Sequence, residues 1–220
     1  MEQNSILDRY QKRFLGSVIK EPYLLKHFYW TGGTALAEFY LHHRESYDID
    51  LFSENEIHLP SIEKFVHAVK RTLGASDILH KRFLGLQSFV FKYPKGELKV
   101  DFNYYPFPRI NVGKRWNGLA IDSLEDIAAN KIHTVSMKPR DRDFVDIYCM
   151  FQKEQFSIEH LISLAKAKFD WHIDPIQLGQ TFTQVGAYQD IPKMLIPFDH
   201  QKMERFFLGL AKQMEKDIFQ

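Results

Sequence analysis

Two aspartates one residue apart, Asp48 and Asp50, are the side chains of this sequence best placed to do chemistry. Acidic and apolar residues alternate over 48–52, which predicts a β-strand with both carboxylates on one face, their Cα atoms about 7 Å apart. Like charges side by side destabilise a sheet, so a compensating group is expected. A divalent cation is the simplest candidate, because Mg²⁺ favours a few carboxylates together with substrate phosphates.

A glycine pair precedes these aspartates in the chain. Gly32 and Gly33 follow the apolar run 28–30, and Thr34 opens a stretch of helix-forming residues. The pattern predicts strand, turn and helix, with backbone N–H groups at the positive end of the helix dipole, where phosphate binds. A phosphate-binding turn followed by metal-binding carboxylates is typical of enzymes that transfer phosphoryl or nucleotidyl groups.

The segments 89–93 and 98–104 predict a β-hairpin that turns at 94–97. Its second strand carries Asp101, on the same face as Lys99. The residues themselves leave Asp101 open to two interpretations, a third functional carboxylate or an exposed strand residue.

The stretch 32–52 resembles the signature of the polymerase-β-type nucleotidyltransferase superfamily and, more narrowly, of the AbiEii/AbiGii toxin family. The segments 124–131 and 142–148 resemble two further motifs of that family. The resemblance implies an α+β fold, in which a small mixed or antiparallel nucleotidyltransferase sheet is flanked by helices and followed by a helical C-terminal part. It also implies that the strand of Asp101 lies beside the strand of Asp48 and Asp50.

The resemblance then assigns roles to residues. Asp48, Asp50 and Asp101 would be catalytic and would bind Mg²⁺ or Mn²⁺, with Asp101 on the acceptor side, as a metal ligand or as a base towards the acceptor hydroxyl. Lys131 would be catalytic as well, because it would offset charge that develops on the leaving phosphates. The implied nucleotide-binding residues are Gly32, Gly33, Thr34, Lys131, Arg142, Asp143 and Asp146. Asp143 and Asp146 lie three apart on one helix face, so a salt-bridged helix surface remains the alternative.

The organisation of the chain follows from a change in composition near residue 121. We predict a nucleotidyltransferase catalytic lobe over 1–121 and a helical lobe over 122–220 that completes the active site. A short strand is expected at 119–121. Helical periodicity predicts helices at 3–20, 61–73, 122–135, 141–152, 158–169, 175–188 and 201–218.

Composition bounds the class of protein. The 220 residues carry a net charge of +1, and no run approaches the roughly 18 apolar residues that span a membrane. A single cysteine, Cys149, suits a reducing compartment, and the acidic start of the chain does not suit a signal peptide. We therefore expect a cytoplasmic protein without a membrane partner.

Basic residues are concentrated between Lys81 and Arg115, a segment that contains eight basic residues and two acidic ones. Aromatic residues are interleaved with them, as is typical of surfaces that bind nucleotides or nucleic acids. The alternative is a solvated hairpin whose aromatic side chains pack inward.

The resulting hypothesis is an enzyme that moves a nucleoside monophosphate from a nucleoside triphosphate to an acceptor hydroxyl. The resemblance implies a toxin of a toxin–antitoxin or phage-defence system, with a cognate antitoxin and, in some members, the 3′ end of tRNA as acceptor. Two alternatives stay open. One is a non-catalytic nucleotide-binding or antitoxin-type partner module, and the other is a nucleotidyltransferase acting on a small molecule or a protein.

Overall fold

The computed structural model describes residues 5–218, which form two compact units. The first unit runs to Tyr40 and resumes over Ser46–Ser123, and the second comprises Leu41–Glu45 and the chain from Leu124 onward. Among the described residues, no helix combines the length and the apolar character needed to cross a membrane.

One seven-stranded mixed sheet forms the centre of the first unit. Its strands are Tyr29–Thr31 (β1), Ile49–Ser53 (β2), Asp77–Phe83 (β3), Leu86–Tyr93 (β4), Gly96–Tyr104 (β5), Arg115–Trp116 (β6) and Leu119–Ile121 (β7). They are ordered β3-β4-β5-β2-β1-β7-β6. The pairs β2–β5 and β1–β7 are parallel, and the other neighbouring pairs are antiparallel. The predicted α+β class with a mixed sheet is confirmed, as are the hairpin β4–β5 and the strand at 119–121.

Alternation along the central strands explains which face of the sheet is buried. Ile49 and Leu51 on β2 and Val100 on β5 are fully buried, while Asp50 between them faces the other side. Aromatic contacts tie a helix to this core, since the ring of Phe14 lies 5.7 Å from that of Phe91 on β4. The apolar face therefore anchors the strands, and the opposite face is left for polar side chains.

Helices occupy most of the predicted positions. Their bounds are Arg9–Val18 (α1), Pro22–His27 (α2), Gly32–Leu36 (α3), Leu59–Leu73 (α4), Leu124–Met137 (α5), Asp141–Lys153 (α6), Ile158–Phe169 (α7), Pro175–Thr183 (α8) and His200–Ile218 (α9). In the second unit, α5 packs against α6, α7 and α8, and α9 packs against α6 and α8.

The observed elements differ from the predicted ones at several places. Residues 3 and 4 of the helix predicted over 3–20 lie outside the described residues, and the observed helix α1 begins only at Arg9, because Asp8 caps it in a reciprocal capping box with Gln11. The helix expected from Thr34 begins at Gly32 and widens into a π-helix over Ala37–Leu41. The helix α2 and the strands β3 and β6 were not predicted.

Glycine is required at position 32 for two reasons that can be separated. Gly32 has a φ of 79°, and a Cβ atom there would lie 2.1 Å from Oδ2 of Asp50. Gly74, which ends α4, has a similar φ of 70° but nothing within 4 Å of its Cβ position.

We expect Gly74→Ala to cost about 1–2 kcal/mol of stability from backbone strain alone. Gly32→Ala should cost more, since the carboxylate of Asp50 must also move. Denaturant unfolding of both variants measures the difference, and equal losses would contradict this account.

Candidate active site

A row of paired residues crosses five strands of the sheet. Thr31 pairs with Asp50, Asp50 with Asp101, Asp101 with Ser88, and Ser88 with Lys81. Directly paired residues project their side chains on the same face of a sheet. The two aspartates, which are separated by fifty residues in the chain, therefore stand side by side on neighbouring parallel strands.

Lys99 joins the third aspartate to this row. Its Nζ lies 2.7 Å from Oδ2 of Asp101 and 3.6 Å from Oδ2 of Asp48. Burial alone would lower the pKa of Lys99, but the hydrogen bond and the charge of Asp101, followed by Asp48 and Asp50, raise it. The other oxygen of Asp101, Oδ1, is buried and has no hydrogen-bond partner within the described residues.

The glycine turn packs directly against this row. The tight approach of Gly32 to Asp50 leaves no room for a side chain at position 32. Thr34, which the resemblance assigns to the nucleotide, is fully buried, and its hydroxyl donates to the backbone carbonyl of Asp48. It also shares a 2.9 Å hydrogen bond with the hydroxyl of Ser46. The side chain of Thr34 thus fixes the start of β2. A phosphate bound at this turn would be contacted by the backbone of Thr34 and of the two glycines rather than by the threonine hydroxyl.

One carboxylate of the site was not predicted. Asp122 follows β7, and its Oδ2 accepts a 2.7 Å hydrogen bond from the hydroxyl of Thr31, with both side chains buried. Its backbone carbonyl accepts a 2.8 Å hydrogen bond from the hydroxyl of Tyr40. Asp122 therefore holds the end of β1 in place beside Asp50. The sequence offered no signal for this role beyond a polar residue at a helix start.

The donor atoms of this face suit a hard divalent cation. Carboxylate oxygens are the ligands that Mg²⁺ and Mn²⁺ prefer, and among the described residues the buried Oδ1 of Asp101 has no hydrogen-bond donor. In the part of the chain that the structure describes, no three His, Cys, Asp or Glu side chains converge as they would around an ion. An ammonium group lies between two of the predicted ligands.

The second unit contains a buried charge cluster around Asp146. The Nζ of Lys131 lies 2.7 Å from Asp143 and 2.6 Å from Asp146. Arg44 binds Asp146 with two nitrogens, at 2.6 and 2.8 Å, and Nε2 of His43 donates at 2.7 Å. Asp143 and Asp146 are fully buried, and Lys131 is only 7% exposed. In the structure Lys131 pairs with two carboxylates, those of Asp143 and Asp146. Its phosphate-binding role stays a prediction.

Electrostatics keeps the acids of this cluster ionised. Burial by itself would raise the pKa of Asp146, but the charges of Lys131 and Arg44, with hydrogen bonds from Arg44 and His43, hold it well below its usual value. Burial is likewise outweighed at Asp143, whose pKa is lowered by Lys131 and Arg140. Burial, with the charge of Asp146 second, raises the pKa of the neighbouring Cys149 thiol to about 12, so that thiol is unreactive at neutral pH.

Several members of this cluster escaped sequence reasoning. Arg44 and His43 lie about a hundred residues from Asp146, so no local spacing reveals the contact. Arg140, which the sequence analysis did not single out, lies 2.8 Å from Asp143. Arg142 itself is exposed. The alternative of a salt-bridged helix is therefore present in part, although the bridges are buried rather than on the surface.

The basic segment divides into buried aromatics and exposed charges. Phe91, Tyr93 and Phe102 are buried in the core, as the inward-packing alternative predicted. At the turn between β3 and β4 the opposite holds, since Phe83 is 71% exposed and follows Lys81 by two residues. This end of the segment presents an aromatic ring and a basic side chain together to solvent on the face of the carboxylates.

Removing the central acid of the buried cluster should destabilise the protein. We expect Asp146→Asn to cost about 3–5 kcal/mol of unfolding free energy, because Lys131 and Arg44 would be left buried without their counter-charge. Asp170→Asn is the matched control, since Asp170 is exposed and its left-handed backbone tolerates asparagine. Urea unfolding measures both variants, and a loss under 1 kcal/mol for Asp146→Asn would contradict the assigned structural role.

The same cluster predicts how stability depends on pH. Because the folded pKa values of Asp143 and Asp146 lie below the usual aspartate value, their contribution is fully present above about pH 4 and is lost as the pH falls through the folded values. The stability difference between wild type and Asp146→Asn should therefore shrink below about pH 4. Unfolding curves from pH 7 to pH 2.5 measure it, and a constant difference would contradict the assignment.

Comparison with known proteins identifies the family. The family model described as the nucleotidyl transferase AbiEii toxin of type IV toxin–antitoxin systems matches residues 13–214. A crystal structure described as a candidate nucleotidyltransferase from H. pylori superposes with a TM-score of 0.58 at 18% identity, over 94% of this chain and 93% of that one. The structure of JHP933 from Helicobacter pylori gives a TM-score of 0.55 at 20% identity, over 94% and 90%. Among curated proteins no sequence matched. The two structures share the fold, and because the family model spans nearly the whole chain, this protein belongs to the AbiEii family of nucleotidyl transferase toxins.

Proposed function

We propose that this nucleotidyltransferase moves a nucleoside monophosphate from a nucleoside triphosphate to an acceptor hydroxyl, with Mg²⁺ or Mn²⁺. The observation that carries the proposal is the pairing of Asp50 with Asp101 on β2 and β5, with Asp48 and Asp101 both close to the Nζ of Lys99. Asp50 and Asp101 lie on one face of a sheet whose other face is packed, beside a turn that requires glycine, and Asp48 immediately precedes β2.

The reaction assigns a distinct task to Asp101. The acceptor oxygen attacks the α-phosphorus, the new P–O bond forms, and the bond from that phosphorus to the β-bridging oxygen breaks, so that pyrophosphate leaves. The hydroxyl proton needs an acceptor, and the buried, unpartnered Oδ1 of Asp101 is suited to take it. Asp48, Asp50 and Asp101 would hold the divalent ions, whose chemistry when bound is to stabilise phosphate charge and to lower the pKa of the acceptor hydroxyl. Gly32 and Gly33 would present backbone N–H groups to the phosphates.

For the acceptor, we propose RNA. Lys81 lies in the same row as Asp101, separated from it only by Ser88, and Phe83 is exposed on the same strand. A basic side chain beside an exposed aromatic ring suits a nucleic-acid backbone with an unstacked base. The 3′ end of tRNA is the specific acceptor that we propose to test first.

The family adds a biological role to the chemistry. Because the chain belongs to a family of toxins from toxin–antitoxin systems, we propose that a cognate antitoxin opposes this activity. We further propose the cytoplasm as its compartment, since nucleoside triphosphates and RNA are available there.

The carboxylates provide the first test. We expect Asp48→Asn, Asp50→Asn and Asp101→Asn each to reduce label transfer from labelled nucleoside triphosphates to total RNA by at least about 100-fold, because each removes charge that the transition state requires. Asp77→Asn, at an exposed position of β3 in the same sheet, should keep wild-type activity. Transfer that persists in all three variants would refute the assigned site. If wild type labels no RNA, the same assay with small-molecule and protein acceptors decides between the alternative substrates.

The acceptor surface provides a second test. Lys81→Ala and Phe83→Ala should weaken RNA binding several-fold each, and Lys81→Ala should also reduce its salt dependence, because a phosphate contact is lost. Binding of the triphosphate, measured by thermal shift, should be unchanged in both variants. Lys95→Ala, an exposed lysine in the β4–β5 turn, is the control. Equal RNA affinity in wild type and both variants would show that RNA does not bind at the surface of Lys81 and Phe83.

A further inference from the structure

Lys99 occupies a position where a positive charge is required. It stands two residues before Asp101 on β5, so both side chains lie on the same face of the sheet. Its ammonium group is 2.7 Å from one oxygen of Asp101 and 3.6 Å from an oxygen of Asp48. A single nitrogen thus lies between carboxylates contributed by two different parts of the chain.

The charge balance of this face explains the contact. Three carboxylates would carry three negative charges, and Lys99 is the cation seen in contact with two of them. Its side chain is 39% exposed, whereas that of Asp101 is 10% exposed. The lysine therefore reaches a more buried acid from the solvent side, and its flexible stem can leave without disturbing the sheet.

Ammonium and a divalent ion make different demands on the same oxygens. A charge-assisted hydrogen bond of about 2.7–2.9 Å holds a carboxylate oxygen at lysine, whereas Mg²⁺ draws it to about 2.1 Å. A divalent ion and an ammonium group at neighbouring positions also repel each other. The two oxygens that contact Lys99, Oδ2 of Asp101 and Oδ2 of Asp48, therefore cannot bind a divalent ion while the ammonium group keeps its observed position.

We propose that Lys99 is an internal counter-ion of the carboxylate group, which a divalent cation displaces when it binds. Lys99 is in this sense a positioning residue, because it keeps Asp48 and Asp101 close together in the absence of the ion. The inference rests on the proposed function, since it takes these aspartates as the cation ligands. It predicts that the cation affinity of the protein without nucleotide is lowered by its own lysine.

The test is Mn²⁺ binding to the full chain without nucleotide, measured by electron paramagnetic resonance of free Mn²⁺. We expect Lys99→Met to bind Mn²⁺ about tenfold or more tightly than wild type, because a competing positive charge is gone. Lys99→Arg, which retains the charge, should not bind more tightly than wild type. Lys92→Met is the matched control, since Lys92 is exposed on the same face of the sheet, about 13 Å along β4 from Ser88, and should leave the affinity unchanged.

A second measurement guards against a variant that folds poorly. Without cation, Lys99→Met should melt at a lower temperature than wild type, because its carboxylates repel each other without compensation, and Mn²⁺ should raise its melting temperature more than that of wild type. Equal or weaker Mn²⁺ binding by Lys99→Met overturns the inference, and so does absence of any binding.

The outcome is separable from that of the proposed function. If Lys99→Met binds Mn²⁺ no better than wild type while Asp48→Asn and Asp101→Asn abolish nucleotidyl transfer, only the counter-ion role falls. If Asp101→Asn leaves the tight Mn²⁺ binding of Lys99→Met intact, the ion sits elsewhere, and both the counter-ion role and the assigned cation ligands fall.

Discussion

The central constraint on this structure is the repulsion between carboxylates held side by side on neighbouring strands. Asp50 and Asp101 are direct partners across the parallel pair β2–β5. At a separation of about 5 Å and an effective dielectric constant near 20, two such charges repel by about 3 kcal/mol. A sheet that retains this arrangement needs both a compensating charge and strands that cannot slide apart.

The apolar face of the sheet supplies the second requirement. Ile49, Leu51, Val100 and Phe102 are fully buried, so a shift of register by one residue would expose them and bury the aspartates instead. Thr34 and Asp122 add fixed points at the ends of β2 and β1. The geometry of the carboxylates is thus determined largely by the buried apolar residues and by the hydrogen bonds at the ends of these strands.

This division explains what could be predicted from the sequence. Alternation identified β2, the hairpin β4–β5 and the shared face of Asp48 and Asp50, because these are local patterns with a period of two. The same parity placed Lys99 on the face of Asp101, but it could not say that Lys99 reaches Asp48, since that contact depends on strand pairing. The edge strand β3 was missed because its side chains are mostly exposed, which weakens the apolar pattern. The ion pair of Arg44 and Asp146 spans about a hundred residues, and no motif or spacing encodes it.

The two groups of paired charges differ in a way that bears on function. Asp146 is fully buried and receives hydrogen bonds from Lys131, Arg44 and His43. Loss of any one of these partners would leave buried charge without full compensation. The pair formed by Lys99 and Asp101 is partly exposed, held by one flexible side chain, and leaves Oδ1 of the acid unpartnered within the described residues. Breaking that pair costs far less, since water can solvate the released ammonium group. A buried, multiply bonded acid is suited to hold a fold together, whereas a half-satisfied acid with a mobile counter-ion is suited to exchange one cation for another. We therefore propose that Asp146 acts in structure and Asp101 in chemistry, although both are buried aspartates that pair with lysine.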